Sequence, residues 1–316
     1  AYNRVELKFG PDYLIPMPFD PRLVMKVAPA VAKAAMDSGV ATRPLADMDA
    51  YRNKLSEFVY QSGLQMRPVF TAARQSPQRI VFCEGEDERV LRAVQTVIDE
   101  GLAKPILIGR PDVVEAQIAK CGLRLKAGEN IGLVNPDSDP RFRDFWTDYY
   151  KIMQRKGVSI EYAKREARRR TTLIGALMVR KGLADGMVCG TYGSHSRHLR
   201  YIQNVIGLQE GVKNFYAVNM LLLPRRTLFI GDTYVNYDPT AEQLAEMTVL
   251  AADMVQRFGL TPKVGLLSHS SFGAEDTPTS LKMRQTLKLL QDIAPELEVE
   301  GEMHGDAALS EDIRNQ

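Results

Sequence analysis

The chain has 316 residues, of which 45% are hydrophobic and 25% are charged, a composition typical of folded globular proteins rather than disordered or fibrous ones. Its 41 basic and 39 acidic residues give a formal charge of +2, so the chain as a whole lacks the strong positive charge typical of proteins that bind nucleic acid or anionic membranes. No apolar run reaches the roughly 18 residues that span a bilayer, and the start has no signal-peptide core.

The cysteines indicate the compartment. Cys83, Cys121 and Cys189 are an odd number at wide spacing, and Cys83 and Cys189 lie at the ends of apolar runs typical of buried strands. This usage predicts a reducing environment, and we expect a cytoplasmic protein. Because the sequence begins at Ala1 without an initiator methionine, we also expect it to begin within a longer protein.

The first 75 residues differ from the rest by having helical patterns without strands. A helix is predicted over about 21–37, with Asp20 as its cap and Gly39 at its end. A second helical pattern over 51–59 follows a loop. We interpret this region as a tail and a linker.

From Arg79 onward, short apolar runs alternate with amphipathic helices, which is the pattern of parallel βαβ units. The expected strands are 80–83, 105–109, 186–189, 220–223, 227–230 and 263–267. Two long helices interrupt the alternation, one with Phe142, Phe145, Trp146, Tyr149 and Met153 on one face and one over 159–170. They are predicted either to cover one side of the sheet or to form a subdomain.

Residues 231–242 contain the first candidate site, where a strand ends and a helix begins. Asp238 is predicted as the N-cap of that helix, with Pro239 in its first turn. A helix N-terminus beside a strand end can bind phosphate through free backbone N–H groups. The alternative is a well-capped structural helix, because Asp238 can satisfy those donors itself.

Two further strand-end segments carry polar side chains. Residues 190–200 contain hydroxyls, His195, His198 and two arginines, which suit a phosphate or pyrophosphate, although a solvated loop fits equally well. Neither histidine has a metal-ligand spacing to a carboxylate or cysteine, so no metal is predicted here. Residues 268–273 form either a hydroxyl-lined substrate loop or a loop with helix caps.

Two charged segments have simpler interpretations. The acidic segment 84–89 is expected to be a capped helix start, and the arginines of 165–170 a solvated helix face. The sequence contains no G-x-G-x-x-G, G-x-x-x-x-G-K-[ST], H-E-x-x-H or G-x-S-x-G motif. Dinucleotide and ATP chemistry within this stretch therefore lack support.

The segment 231–246 resembles the phosphotransacetylase family, whose members carry G-D-x-x-x-N-x-x-P-T-A-E-Q-L-A-E. Further matches lie at 184–190, 258–268 and 301–308, so the resemblance covers about 75–316. It implies an α/β fold of three layers, α/β/α, with a mostly parallel sheet in two subdomains, of the isocitrate/isopropylmalate dehydrogenase-like type. We expect a domain over 76–316 that is C-terminally incomplete, because the family's serine-arginine pair and nearby aspartate would follow Gln316.

The first 45 residues resemble something else, the end of a bacterial malic enzyme's cofactor domain, through 9–16 and 18–23. A helical linker is expected over 46–75. The order of these segments along the chain resembles that of the hybrid malic enzymes, which carry a phosphotransacetylase-like half. This implies a parent that converts malate to pyruvate and carbon dioxide, using NADP and a divalent metal (Mg²⁺ or Mn²⁺) bound outside this stretch. It also implies acetyl-CoA as an effector, a malic enzyme domain in the same chain, and a homo-oligomer.

The resemblance also assigns site residues, none of them catalytic. The expected contacts for acetyl-CoA or its phosphates are Ser194, Arg200, Asp232, Asn236, Ser268, Ser270 and Ser271. Arg200 matches the family's arginine, whereas authentic phosphotransacetylases usually have histidine where this chain has Gly193. The leading hypothesis is a regulatory acetyl-CoA-binding module. An active phosphate acetyltransferase and a scaffold without a ligand are the alternatives.

Overall fold

The computed structural model describes residues 21–59, 63–223 and 226–315. Its first elements are helices α1 (Pro21–Asp37), α2 (Met48–Val59) and α3 (Gly63–Gln75). The first predicted helix is confirmed, and Gly39, just beyond it, has a φ of 73°, a left-handed conformation that glycine adopts without a Cβ clash. The predicted cap, Asp20, lies outside the described residues.

Four parallel strands form the central sheet. They are β1 (Gln78–Phe82), β2 (Ala103–Ile108), β3 (Gly132–Val134) and β4 (Gly186–Val188), in the order β3-β2-β1-β4. Helices α4 (Glu88–Asp99) and α5 (Pro111–Lys120) connect the first three strands. The predicted α/β fold with a parallel sheet is confirmed, although the short strand β3 was not foreseen.

The sheet carries helices on both faces because side chains alternate along each strand. Val81 packs with the buried residues of α6 (Phe142–Met153) and α8 (Thr171–Arg180), whereas the next residue, Phe82, packs with α4 and α5. The short helix α7 (Ile160–Arg169) lies between α6 and α8, capped by Ser159. Of the two predicted arrangements for the long helices, covering one side of the sheet is the one observed.

The C-terminal part departs from the predicted parallel pattern. Strands β5 (Val218–Leu223) and β6 (Arg226–Gly231) pair antiparallel as a separate two-stranded sheet. This pair is an exception within the predicted mostly parallel arrangement, because the two strands follow each other too closely for a parallel crossover, which needs about a dozen residues. Strand β7 (Lys263–Leu267) pairs in parallel with β8 (Glu298–Met303), a strand that was not predicted.

Five helices complete the described structure: α9 (His195–Val205), α10 (Ala241–Arg257), α11 (Pro278–Ile293), α12 (Gly305–Leu309) and α13 (Glu311–Arg314). Across the described ranges, none of the helices combines the length and apolar character needed to cross a membrane.

The predicted cap of α10 was wrong. Thr240, not Asp238, precedes the helix: its Oγ1 accepts from the Gln243 N–H at 3.3 Å, and Gln243 Oε1 accepts from the Thr240 N–H at 2.9 Å. This is the reciprocal capping box of a T-x-x-Q sequence, which satisfies two backbone donors where Asp238 would satisfy one. Asp238 instead forms an ion pair with Lys282 on α11.

Candidate functional site: three strand-end loops

Three loops that follow strands carry the predicted ligand residues. We call them the β4 loop (190–194), the β6 loop (232–240) and the β7 loop (268–277). The β4 loop leads into α9, the β6 loop into α10 and the β7 loop into α11. Each therefore joins a strand end to a helix N-terminus, the arrangement in which α/β proteins bind ligands.

The β6 loop is held by its own side chains. Asp232 has a φ of 51°, a left-handed conformation that aspartate tolerates better than most residues, and its N–H donates to Ala217 O at 2.8 Å. Asn236 Nδ2 donates to Asp232 Oδ1 at 3.0 Å and to Phe215 O at 2.9 Å. Asp232 and Asn236 thus lie together and fix the loop against the chain that enters β5.

The β4 loop leaves polar groups available at the start of α9. Ser194 is the N-cap residue, yet its Oγ lies 2.8 Å from Ser196 Oγ and caps no backbone N–H. Arg200 is exposed one turn further along, and no hydrogen bond or ion pair within the described ranges engages its guanidinium. A helix N-terminus and an unengaged guanidinium are both suited to an anion.

His198 is fixed by two contacts and is not free to act as a ligand. Its Nδ1 lies 2.7 Å from Thr172 Oγ1, and its Nε2 lies 2.9 Å from Tyr192 O. The same imidazole restricts which residues position 193 can hold. Gly193 has a φ of 100°, and a Cβ added there would lie 3.0 Å from His198 Nε2. The β4 loop thus has little room for a side chain at position 193 in this conformation.

Contacts between elements bring the loops toward one another. The rings of His195 on α9 and Tyr234 in the β6 loop meet edge to face, with centroids 5.0 Å apart. The Asp238–Lys282 ion pair and a 3.4 Å hydrogen bond from Gln285 Nε2 to Glu242 Oε1 connect the β6 loop and α10 to α11. The structure therefore joins the first residue of α9, which follows the β4 loop, to the β6 loop, and the β6 loop to the helix that follows the β7 loop.

A buried carboxylate organises the β7 loop. Glu302 on β8 is fully buried, and its Oε1 accepts from Ser270 Oγ and from the Gly273 N–H, each at 3.0 Å. Ser270 Oγ also accepts from the Glu275 N–H at 3.0 Å, so this hydroxyl is occupied within the loop. The pattern of residues 268–273 signalled a polar loop, but nothing local in β8 indicated that Glu302 would fold against it.

The other two serines of the β7 loop differ in their partners. Ser271 Oγ accepts from the His304 N–H at 3.2 Å and is half-buried. Ser268 Oγ is buried, and within the described part of the chain it has no hydrogen-bond partner. Among the described residues, Ser268 Oγ thus has no partner and the Ser271 hydroxyl proton has no acceptor, whereas the Ser270 hydroxyl both donates and accepts.

The environment of Glu302 keeps it ionised. Burial by itself raises the pKa of this carboxyl, but the hydrogen bonds from backbone N–H groups and Ser270, together with Arg284, outweigh burial and leave the pKa below its ordinary value. Arg284 Nε lies 3.5 Å from Glu302 Oε2. The β7 loop is thus built around a negative charge that faces inward.

The two charged segments have structural roles. Asp87 caps α4 by accepting from the Arg89 N–H at 2.8 Å, and Arg89 and Arg92 pair with acidic residues of the same segment, so the predicted capped helix start is confirmed. On α7, Arg168 lies 5.0 Å from the centre of the Phe142 ring. In the described ranges no cluster of three or more histidine, cysteine, aspartate or glutamate side chains is arranged to hold a metal ion.

Comparison with solved structures defines the class of the fold. A phosphotransacetylase from Streptococcus pyogenes superposes with a TM-score of 0.71 at 28% sequence identity, over 79% of this chain and 76% of that one. The strand-end site described above thus lies on a phosphotransacetylase fold.

The sequence comparisons give the family. The chain belongs to the phosphate acetyl/butaryl transferase family, whose profile matches residues 64–316, and the resemblance seen in the motifs is confirmed. The chain is 56% identical over 315 residues, its whole length, to the NADP-dependent malic enzyme of Escherichia coli (strain K12), of which it spans 42%. It is 34% identical over 241 residues to the phosphate acetyltransferase of Nitratidesulfovibrio vulgaris, over 76% of this chain and 34% of that protein.

Replacing Asn236 tests the hydrogen bonds of the β6 loop. Asn236→Ala leaves Phe215 O and Asp232 Oδ1 without their side-chain donor, so we expect a loss of about 1–2 kcal/mol in the free energy of unfolding measured by urea denaturation. Thr233→Ala serves as the control: it removes only a solvent-exposed hydrogen bond of 3.2 Å from Thr233 Oγ1 to Asn219 Oδ1, and it is expected to change stability by less than about 0.5 kcal/mol. Equal effects of the two substitutions would contradict the assigned role of Asn236.

Replacing Glu302 tests the inward-facing charge. Glu302→Gln removes the charge beside Arg284, and we expect a loss of about 1–3 kcal/mol in the free energy of unfolding at neutral pH. Because the folded-state pKa is lowered, this stabilisation is present above the ordinary glutamate pKa of about 4.3 and is lost as the pH falls through the lower folded value. The difference between variant and parent should therefore shrink in acid, whereas the exposed control Glu296→Gln should show no such difference. If Glu302→Gln lowered the free energy of unfolding equally at all pH values, the stabilisation could not be assigned to the charge of Glu302.

Proposed function

We propose that this chain binds acetyl-CoA at the three strand-end loops and that binding regulates a malic enzyme domain of the same protein. The observation that carries the proposal is the combination of two similarities: a phosphate acetyl/butaryl transferase fold, and 56% identity along the whole chain to an NADP-dependent malic enzyme. A pocket inherited from an enzyme that handles acetyl-CoA is suited to sense the same molecule. We propose that the loops of this chain bind acetyl-CoA and do not catalyse a reaction on it.

The proposed contacts follow the chemistry of the loops. Arg200 and the start of α9 at Ser194 bind phosphate or pyrophosphate through charge-assisted hydrogen bonds. Ser268 and Ser271 face the acyl end, and Ser270 supports them from within through Glu302. Asp232 and Asn236 keep the β6 loop in place. The free guanidinium and the unpartnered Ser268 hydroxyl support these assignments.

The geometry of the β4 loop supports binding without turnover. The family resemblance implies a histidine at position 193, and this chain has glycine there, with a left-handed φ and His198 directly against the space of a Cβ. A histidine at that position would require the loop to rearrange. The imidazole that could move a proton in an authentic enzyme has no equivalent in this conformation.

The proposal extends to the parent protein. The chain spans 42% of its malic enzyme relative. We propose that the rest of the protein converts malate to pyruvate and carbon dioxide. That part would also bind NADP and Mg²⁺ or Mn²⁺. We further propose a cytoplasmic homo-oligomer. Regulation requires that acetyl-CoA bind two states of the protein with different affinities, and a coupling of this kind is typically about 1–3 kcal/mol.

The direct test is malate-dependent NADPH formation by the full-length protein, with and without acetyl-CoA, with a parallel assay using NAD. We expect acetyl-CoA to change the rate, and Arg200→Ala to raise the half-effective acetyl-CoA concentration about tenfold, which corresponds to about 1.4 kcal/mol. Arg257→Ala is the matched control, because this exposed arginine ends the 17-residue helix α10, about 24 Å from the helix start at the β6 loop. A rate indifferent to acetyl-CoA would contradict the proposal.

The second candidate is a working phosphate acetyltransferase, favoured by the 34% identity to an enzyme of that name. In that case CoA would attack acetyl phosphate while arginines stabilise the developing charge. Assaying acetyl-CoA formation from acetyl phosphate and CoA separates the two. The regulatory proposal predicts no turnover above background in the full-length protein, and robust turnover would replace it with the enzymatic one. The third alternative is a scaffold that binds no ligand. Titration calorimetry of the folded protein with acetyl-CoA would support it if no heat of binding were detected.

A further inference from the structure

Two cysteines lie side by side at the base of the β4 loop. The parallel register pairs Phe82 with Val188, so the next residues, Cys83 and Cys189, stand opposite each other at the ends of β1 and β4. The Cys83 N–H continues the ladder by donating to Val188 O at 3.0 Å. Residues in register on neighbouring strands share a face, and Cys189 packs against the buried apolar cluster that contains Cys83.

The strand geometry is compatible with a covalent link. Neighbouring strands lie about 4.7–4.9 Å apart, and disulfides usually join residues whose Cα atoms are about 4.4–6.8 Å apart. Both thiols are free in the structure. A bond between Cys83 and Cys189 therefore needs rotation of the side chains and little movement of the strands.

The surroundings give the two thiols different chemistry. The neighbouring Cys83 thiol lowers the pKa of Cys189 to about 7; His198 and Thr172 act in the same direction, and burial and Glu84 oppose them. The proximity of Cys189, together with burial, raises the pKa of Cys83 well above its ordinary value. At neutral pH half-buried Cys189 is therefore about half ionised, whereas fully buried Cys83 remains a thiol.

A small cavity at the carboxyl edge of the sheet reaches Cys83, while Cys189 is itself only half-buried. The cavity has a volume of about 150 Å³, and its lining includes Cys83, Glu84, Ile108, Arg110, Thr171 and Tyr192. One water takes up about 30 Å³ of liquid volume, whereas pockets for larger organic molecules measure roughly 300–1,000 Å³. The cavity therefore fits water or hydrogen peroxide and is too small for a peptide disulfide.

We propose that Cys83 and Cys189 form a redox-modification site that takes a small peroxide and closes a disulfide between β1 and β4. The Cys189 thiolate attacks one oxygen of hydrogen peroxide; the O–O bond breaks, leaving a sulfenic acid on Cys189 and a hydroxide that takes a proton from solvent. The Cys83 sulfur then attacks the Cys189 sulfur, and its thiol proton leaves with the displaced hydroxide as water. Two thiols are oxidised by two electrons, and one peroxide is reduced to two waters.

The site lies where it can influence the β4 loop. Cys189 immediately precedes Gly190, whose N–H donates to Glu84 Oε1 at 3.1 Å. Closing the disulfide draws Cys189 toward Cys83 and so shifts the residue from which the β4 loop starts. An altered response to acetyl-CoA is the expected consequence; this consequence rests on the proposed function, whereas disulfide formation does not.

The test is peptide mapping by mass spectrometry after the full-length protein is treated with hydrogen peroxide and its remaining thiols are alkylated. We expect a Cys83–Cys189 cross-link that dithiothreitol reverses, while Cys121, at the end of α5, remains largely alkylated as the internal control. At pH 7 native Cys189 should react about threefold faster than in the urea-denatured chain, where its pKa returns to the ordinary value of about 8.5, because the roughly 15-fold larger thiolate fraction outweighs the lower nucleophilicity of the less basic thiolate. The native rate should rise as the pH increases through 7.

Two variants distinguish the roles of the thiols. Cys189→Ser should abolish the cross-link and leave Cys83 reduced, and Cys83→Ala should let Cys189 proceed to sulfinic acid because no second thiol resolves it. The rate comparison on unmodified protein stands even if a variant fails to fold. Oxidation of Cys121 as fast as Cys189, or a native Cys189 no faster than the denatured one, would overturn the proposal, whatever the outcome of the acetyl-CoA assays.

Discussion

Parallel pairing of β1 with β4 is the constraint on which the candidate site depends. It brings together segments 106 residues apart, and the buried carboxylate of Glu84 fixes the junction by accepting from the Gly190 N–H at 3.1 Å. Because parallel strands end at one edge of their sheet, the β4 loop and the start of α9 are directed to that edge. The His195–Tyr234 contact then connects the β6 loop to it. Without this pairing, the β4 loop and the start of α9 would not be held at that edge.

The elements that the sequence predicted well are those determined by short-range physics. The apolar run before Cys83, the helix over 159–170 and the helix that Gly39 follows are local patterns, and each appears in the structure. The predicted N-cap of α10 was wrong because two neighbouring residues can both cap a helix. Thr240 caps it instead of Asp238, since Gln243 completes a reciprocal capping box with Thr240. Contacts such as Ser270 with Glu302, 32 residues apart, follow no periodicity and were not predictable from a single sequence.

The site divides between residues that build the loops and residues that remain available. Hydrogen bonds within the protein engage the side chains of Asn236, Ser270 and His198. Among the described residues, the side chains of Arg200 and Ser268 form none. On the proposed function, the first group pre-organises a surface and the second recognises the ligand, an arrangement that reduces the entropic cost of binding. A Cβ at Gly193 would lie 3.0 Å from His198 Nε2, so a side chain there would require the loop or His198 to move. On the proposed function, a fold shared with transferases would serve as a binding module attached to a different enzyme.

The most direct measurement is a crystal structure of the full-length protein with acetyl-CoA. The account predicts the phosphate groups of acetyl-CoA at the start of α9, within hydrogen-bonding distance of Arg200, and the acyl end beside the β7 loop. Acetyl-CoA bound at a surface away from these loops, or no bound acetyl-CoA at saturating concentration with the loops accessible in the crystal, would contradict it.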